Sequence, residues 1–101
     1  MTDTYRKEFE MKTAQRYGLP YMGYTRSDIE AIKLIRSVLD NNTLINYEFG
    51  WDCESKKYIC RVFRPSNKTI YNFANESLAM VICECIDSCI KKGLMWILIK
   101  F

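Results

Sequence analysis

Apolar residues recur along the middle of the chain with two different periods, one typical of helices and one typical of strands. After Ser27 they return every three or four positions as far as Leu39, which predicts an amphipathic helix. Ser27 and Glu30 have the spacing of a capping box, so we expect the helix to begin at Ser27. The predicted apolar positions are Ile29, Ile32, Ile35, Val38 and Leu39.

The next two segments, 44–49 and 58–63, follow the alternating period of half-buried strands instead. In the first, Ile45, Tyr47 and Phe49 alternate with Asn46 and Glu48, and in the second, 58, 60 and 62 point to the side opposite 59, 61 and 63. The polar stretch 50–57 separates them, which predicts an antiparallel hairpin. A turn at 65–67 follows, and residues 69–71 predict a short third strand.

The helical period returns in a second segment, from about Asn75 to Lys92. Asn75 is a favourable N-cap residue, and Gly93 suits the left-handed position that ends a helix. Residues 94–99 are almost wholly apolar and predict a terminal strand. At a sheet edge such a strand would pair with a second chain, which predicts a homo-oligomer, although an interior position explains it equally well. The apolar positions of the helix are Leu78, Val81, Ile82, Cys85, Ile86, Cys89 and Ile90.

Residues 1–24 have a weaker pattern, in which 4–17 predict a helix that ends at Gly18. The tyrosine-rich connector 19–24 can pin this helix to the core. With Arg26 ahead of the next helix, it can equally form one wall of an anion pocket.

These elements predict an α+β fold, a two-layer sandwich of an antiparallel hairpin or sheet and two amphipathic helices. An extra N-terminal helix and a C-terminal strand complete it. A length of 101 residues fits one domain. We divide it into an N-terminal extension (1–24), a helix–hairpin–helix core (25–92) and a C-terminal strand (93–101).

Composition narrows the classes of function. The net charge of +3 is too small to indicate binding to a long nucleic acid. The N-terminus is charged where a signal peptide is apolar, and the longest apolar run, 94–99, is far shorter than a membrane span. Histidine is absent, which removes the usual general base and the commonest metal ligand. We therefore expect a non-enzymatic protein with no catalytic residue, no cofactor, no metal and no membrane partner.

The five cysteines are an odd number, which we expect to be free thiols in a reducing compartment. Three of them, Cys83, Cys85 and Cys89, lie on the second helix and could approach one another. A zinc site needs four ligands, usually in paired spacings that this chain lacks. We interpret them as core side chains, because buried cysteine behaves as a small apolar residue.

The segment 55–75 contains five cations and no acidic residue, with aromatic residues in and beside it. Guanidinium groups form paired hydrogen bonds with phosphate, and aromatic rings stack on bases. A solvated hairpin edge explains the same charges, because lysines there deter pairing between sheets. The candidate ligand-binding residues are Arg61, Arg64, Lys68, Trp51, Tyr71 and Arg26.

The order of elements, with T-R-S-D-I-E-A at 25–31 and N-E-S-L-A-M-V-I-C at 75–83, resembles the phage ABA sandwich domain family. That family shows an S/T-D-I-x-A helix start, a two-stranded middle, and a second helix that opens with an acidic–small–Leu-Ala-Ile-Cys pattern. This chain departs from the pattern at Met80 and Val81 and has fewer tryptophans near the hairpin. The resemblance covers residues 25–92 and carries no catalytic residue.

The resemblance implies a bacteriophage accessory protein that acts in the host cytoplasm. It leads to the hypothesis of an anti-defence sponge, a protein that binds and sequesters a small anionic signal such as a cyclic or ADP-ribose-type nucleotide. The alternative is a protein–protein inhibitor or assembly factor. It would bind a host or phage protein through the apolar second helix and residues 95–99. A resemblance of fold alone establishes neither function.

Overall fold

Three helices and three strands make up residues 1–40 and 44–92, the part of the chain that the computed structural model describes. They confirm the predicted α+β class. The predicted C-terminal strand lies outside these residues. In chain order the elements are α1 (Asp3–Tyr17), α2 (Asp28–Leu39), β1 (Asn46–Asp52), β2 (Lys57–Phe63), β3 (Thr69–Asn75) and α3 (Leu78–Lys91).

Side-chain caps determine where the first two helices begin. Thr2 Oγ1 accepts a hydrogen bond from the Tyr5 N–H at 3.1 Å, and Ser27 Oγ accepts one from the Glu30 N–H at 3.3 Å. Gly18 ends α1 with a φ of 64°, a left-handed conformation that glycine adopts without steric penalty. The predicted N-cap at Ser27 and the predicted stop at Gly18 are confirmed.

One predicted core position of α2 is wrong. Ile29 is 66% exposed, because it lies on the side of the helix opposite the buried stripe. That stripe consists of Ala31, Leu34, Ile35, Val38 and Leu39.

The strands form one antiparallel sheet in the order β1-β2-β3, which confirms the predicted hairpin. Phe49 lies opposite Cys60, and Cys60 lies opposite Phe73, so these three side chains share a face of the sheet. An irregularity of register between Val62 and Phe63 places Ile70 as an extra residue in β3.

The start of the last helix differs from the prediction, because Asn75 is not its N-cap. Asn75 pairs with Tyr58 as the last residue of β3, which is longer than predicted. Ser77 caps α3 instead, and its Oγ accepts a hydrogen bond from the Met80 N–H at 3.2 Å. The Asn75 amide donates to Glu84 Oε1 at 2.8 Å, which ties the end of the strand to the helix.

The helices cover one face of the sheet, with α3 on β2 and β3 and α2 alongside α3. The core between the layers includes Val62 from the sheet, Ile82 and Ile86 from α3, and Leu34 and Ile35 from α2, each at most 1% exposed. This arrangement is consistent with the predicted two-layer sandwich. In the described part of the chain, none of the helices is long and apolar enough to cross a membrane.

Four of the five cysteines are wholly buried, namely Cys60, Cys83, Cys85 and Cys89, whereas Cys53 is exposed. The Cys85 thiol donates to the backbone oxygen of Cys60 at 3.1 Å, which joins α3 to β2. Burial raises the pKa of the Cys83 thiol, and that of Cys89 to about 12. Neutral, buried thiols agree with the interpretation of these residues as core side chains.

Candidate functional site

Arg61 lies in β2, on the sheet face away from the helices, and its guanidinium already has several partners. The Nε atom donates to Thr69 Oγ1 at 2.7 Å, and Nη1 donates to Glu48 Oε1 at 3.0 Å. Nη2 donates to the backbone oxygen of Asn67 at 3.1 Å and to its Oδ1 at 3.0 Å. The guanidinium also lies 4.2 Å from the centre of the Phe63 ring. Arg61 therefore joins all three strands and the turn between β2 and β3.

That turn holds two further cations of the predicted set. The Arg64 N–H donates to the Lys68 carbonyl at 2.9 Å, and the Asn67 N–H donates to the Arg64 carbonyl at 2.7 Å. Asn67 has a φ of 67°, a conformation that asparagine tolerates better than most residues. Both long side chains, Arg64 and Lys68, are exposed and have no hydrogen-bond or ion-pair partner within residues 1–40 and 44–92. The turn thus presents two like charges across one backbone hydrogen bond.

Trp51 lies near the opposite end of the sheet. It pairs with Tyr58 across β1 and β2, and the two rings meet edge to face at 5.1 Å. Trp51 is 56% exposed. From Tyr58 to Arg64 the chain extends along almost the whole of β2, about 20 Å at the usual rise per residue.

Tyr71 lies near the turn, three residues beyond Lys68 and opposite Val62. It is half-buried, and its ring stacks on that of Phe73 with 5.9 Å between the centroids. Tyr71 is the aromatic residue of the predicted set that belongs to the same end of the sheet as Arg64.

Arg26 belongs to the Trp51 end. It precedes α2, and Asp28 in the first turn of α2 accepts a hydrogen bond from the Ala79 N–H at 3.0 Å. Ala79 lies in the first turn of α3, which begins shortly after the strand end at Asn75. The structure therefore places the candidate residues in two groups. Arg61, Arg64, Lys68 and Tyr71 are at one end of the sheet, and Trp51 and Arg26 are at the other.

The end of the sheet near Trp51 also carries two exposed lysines, Lys56 in the turn between β1 and β2 and Lys57 at the start of β2. Asp52 organises this turn by accepting hydrogen bonds from the Ser55 hydroxyl at 2.7 Å and from its N–H at 3.3 Å. These bonds hold the pKa of the Asp52 carboxyl below its usual value.

Sequence reasoning missed the residues that hold Arg61, namely Glu48, Asn67 and Thr69. The sequence did indicate a turn at Asn67, because an asparagine that follows Pro65 and Ser66 favours a left-handed turn position. No local pattern indicated that Glu48 lies opposite Arg61, because that contact depends on the register of two strands.

A cleft of ≈ 580 Å³ lies between the second half of α1 and the connector. Leu19 lines it, whereas Tyr24 of the same connector is only 3% exposed and belongs to the core. Cations are missing from its described lining, so it does not suit an anion. The lining residues are Met11, Ala14, Gln15, Gly18, Leu19 and Tyr21.

The apolar side of α3 is not available to a partner protein. Val81, Ile82, Cys85 and Ile86 have no exposed surface, because the sheet and α2 cover them. The alternative function, binding of another protein, was predicted to use this helix face, and that part of the prediction is wrong. Residues 95–99, the other part of the predicted interface, lie outside the described residues.

Comparison with known proteins finds no match, since no family model, no curated protein and no solved structure is significantly similar to the chain.

Proposed function

We propose that this protein is a small binding module whose ligand carries a phosphate group, held at the turn between β2 and β3. The observation that supports this most directly is the pairing of Arg64 with Lys68. Two cations lie opposite each other across one backbone hydrogen bond of 2.9 Å, with no acidic partner within the described residues. Like charges in this arrangement destabilise a hairpin.

A bound anion removes that repulsion. Arg64 can offer a planar pair of N–H donors to phosphate oxygens, and Lys68 can add a compact charge on a flexible stem. Arg61 ties this turn to the sheet, because it donates to the Asn67 carbonyl at 3.1 Å and to the Asn67 Oδ1 atom at 3.0 Å. A fixed turn with two free cations loses less conformational freedom on binding than a flexible loop does.

Within this proposal Arg61 is a positioning residue and not a ligand contact. Its Nε, Nη1 and Nη2 atoms already donate four hydrogen bonds to protein oxygens, which leaves no adjacent pair of free donors for a paired contact with a phosphate. Tyr71 is the aromatic side chain we assign to a ring on the ligand, because it lies at the same end of the sheet. Trp51 and Arg26 have no part in this site.

The ligand class we favour is a small nucleotide-type signal, cyclic or ADP-ribose-like, and the context we favour is a bacteriophage protein that counters a host defence in the host cytoplasm. Both rest on the resemblance of residues 25–31 and 75–83 to the phage family. The site geometry supports only the phosphate.

Isothermal titration calorimetry with a panel of cyclic and ADP-ribose-type nucleotides tests the proposal. We expect micromolar binding of at least one compound by the wild type. Replacement of Arg64 and Lys68 by alanine should abolish it. The matched control replaces Lys56 and Lys57 by alanine, which removes the same charge from the opposite end of the sheet and should leave affinity nearly unchanged. Equal losses in both variants would indicate non-specific attraction and contradict the site.

A further inference from the structure

Besides the turn between β2 and β3, the outer edge of β1 is a second surface suited to bind a partner. β1 pairs with β2 on one side, and among residues 1–40 and 44–92 its other side has no neighbouring strand. Its seven residues pair with β2 in continuous register, without a bulge. Edge strands are usually protected by charged side chains, above all lysine, or by proline or a bulge. β1 contains no lysine, proline or bulge, and its charged residues are Glu48 and Asp52.

The other edge strand does not share these properties. β3 contains the extra residue Ile70, which interrupts its register with β2. Bulges twist an edge and deter further pairing. Of the two edges, β1 is the one suited to receive a strand.

An aromatic row along β1 is incompletely covered. Tyr47, Phe49 and Trp51 point to the same face, and the first two rings stack with 6.2 Å between their centroids. Exposure is greatest at Trp51, where 56% of the residue is accessible although it lies on the face that carries the core. A single row of three aromatic residues beside unpaired backbone groups favours an added strand.

We propose that the occupant is β1 of a second copy of this chain. The two strands pair antiparallel about a two-fold axis that passes midway between the Phe49 residues of the two copies. In this register Phe49 faces the partner's Phe49, and Trp51 faces the partner's Tyr47. On the other face, Glu48 faces the partner's Gly50, and Asp52 faces the partner's Asn46. All aromatic residues are matched, and no two acidic residues lie directly opposite each other.

The two neighbouring two-fold registers place acidic residues directly opposite each other. An axis at Glu48 sets Glu48 against the partner's Glu48, and an axis at Gly50 sets Glu48 against the partner's Asp52. Like charges directly opposite are destabilising. In the Phe49 register the Glu48 carboxylate also keeps its ion pair with Arg61, at 3.0 Å. Avoidance of like charges therefore favours the Phe49 register over both of its neighbours.

Sedimentation equilibrium of the full chain over a range of concentrations tests this pairing. One strand pair buries less than the roughly 1,200–2,000 Å² of a stable interface, so we expect a concentration-dependent dimer. Trp51→Lys should weaken dimerisation at least tenfold. The control Met11→Lys changes a residue of similar exposure, 52%, on α1 and should have no effect. A wild type that stays monomeric, or a dimer that Trp51→Lys does not weaken, overturns the proposal and favours another chain at this edge.

Engineered disulfides test the register. In a Cys53→Ser, Cys60→Ala background, which removes the exposed thiol and the cysteine opposite position 49 in the same chain, Phe49→Cys should cross-link to itself under mild oxidation. The reason is that directly opposite residues have Cα atoms about 4.5–5.5 Å apart. Trp51→Cys alone should not cross-link, since its copies lie four residues out of register, but it should cross-link when mixed with Tyr47→Cys. Self-linking of Trp51→Cys in place of this pattern overturns the Phe49 register.

Discussion

The Glu10 carboxylate of α1 accepts two hydrogen bonds from Thr25, one from its hydroxyl at 2.8 Å and one from its backbone N–H at 3.0 Å. Glu10 is only 1% exposed, and Tyr21 adds a third donor at 3.3 Å. Arg6 donates in turn to Thr25 Oγ1 at 3.2 Å, which places a cation near the buried carboxylate. This polar cluster fixes the N-terminal helix to the residues that lead into α2.

We expect Glu10→Ala to lower the free energy of unfolding by about 2 to 3 kcal/mol, because it leaves both Thr25 donors without an acceptor. Urea denaturation measures this. The matched control is Glu8→Ala, an exposed residue of the same helix and charge, which should change stability by less than about 0.5 kcal/mol. Equal effects of the two substitutions would show that the buried cluster contributes nothing.

Tyr17 makes stability depend on alkaline pH. Its hydroxyl is buried without a hydrogen-bond partner in the described part of the chain, and burial raises its pKa to about 12. Because the folded pKa exceeds the ordinary value of 10, the stabilisation is complete below pH 10 and is lost as pH rises through 12. Tyr47 should behave likewise, since burial and its hydrogen bond to Asp40 raise its pKa to about 12.

We therefore expect Tyr17→Phe to be at least as stable as the wild type at neutral pH, because it removes an unsatisfied hydroxyl. Between about pH 9 and about pH 11 it should lose less stability than the wild type does. Urea midpoints at the two pH values measure the difference, and identical losses in both proteins would contradict the assignment.

The cysteines should differ sharply in reactivity. Only a thiolate reacts readily, and burial raises the pKa of Cys89 to about 12, whereas Cys53 is exposed on the turn after β1. Ellman's reagent should label one thiol per native chain and all five after denaturation. A Cys53→Ser variant should label none in the native state. Rapid labelling of a second thiol in the wild type would show that the core opens more easily than its packing indicates.

Arg61 should contribute more to stability than its neighbour Arg64. We expect Arg61→Ala to cost about 1 to 2 kcal/mol, because Glu48, Asn67 and Thr69 all lose a donor. Arg61→Lys should not restore this loss, since an ammonium cannot reach three acceptors in a planar fork. Arg64→Ala removes the same charge without the loss of a side-chain hydrogen bond, and it should leave stability equal or slightly higher, because it relieves the repulsion from Lys68. An Arg61→Lys variant as stable as the wild type would contradict the claim that the planar guanidinium is needed to bind all three residues.

The sequence alone predicted much of the fold, because local patterns determine most of its elements. Gly18 and Ser27 mark helix ends through their own backbone and side-chain chemistry, and alternation in β2 reflects its two different faces. The errors come from tertiary competition. Asn75 is suited to an N-cap but is held by strand pairing with Tyr58, and Ser77 caps the helix instead.

The candidate site was less predictable, because it depends on which residues meet across strands. Arg61 and Arg64 look equivalent in the sequence. The Arg61 side chain is bound by three residues, whereas the Arg64 side chain has no partner within the described chain. Trp51 and Lys68 lie 17 positions apart in the sequence and at opposite ends of the sheet. The burial of Glu10 could not be predicted from the sequence either. A charged residue is buried only when it has partners, and those partners are brought together by the fold.

The most direct test of the phosphate site is an amide NMR titration of the wild type with ADP-ribose and with inorganic pyrophosphate. We expect saturable shifts of the Arg64, Asn67 and Lys68 amides, with little change at Lys56 and Lys57. Saturable shifts centred on Lys56 and Lys57, or no saturable shift with either compound, would contradict it.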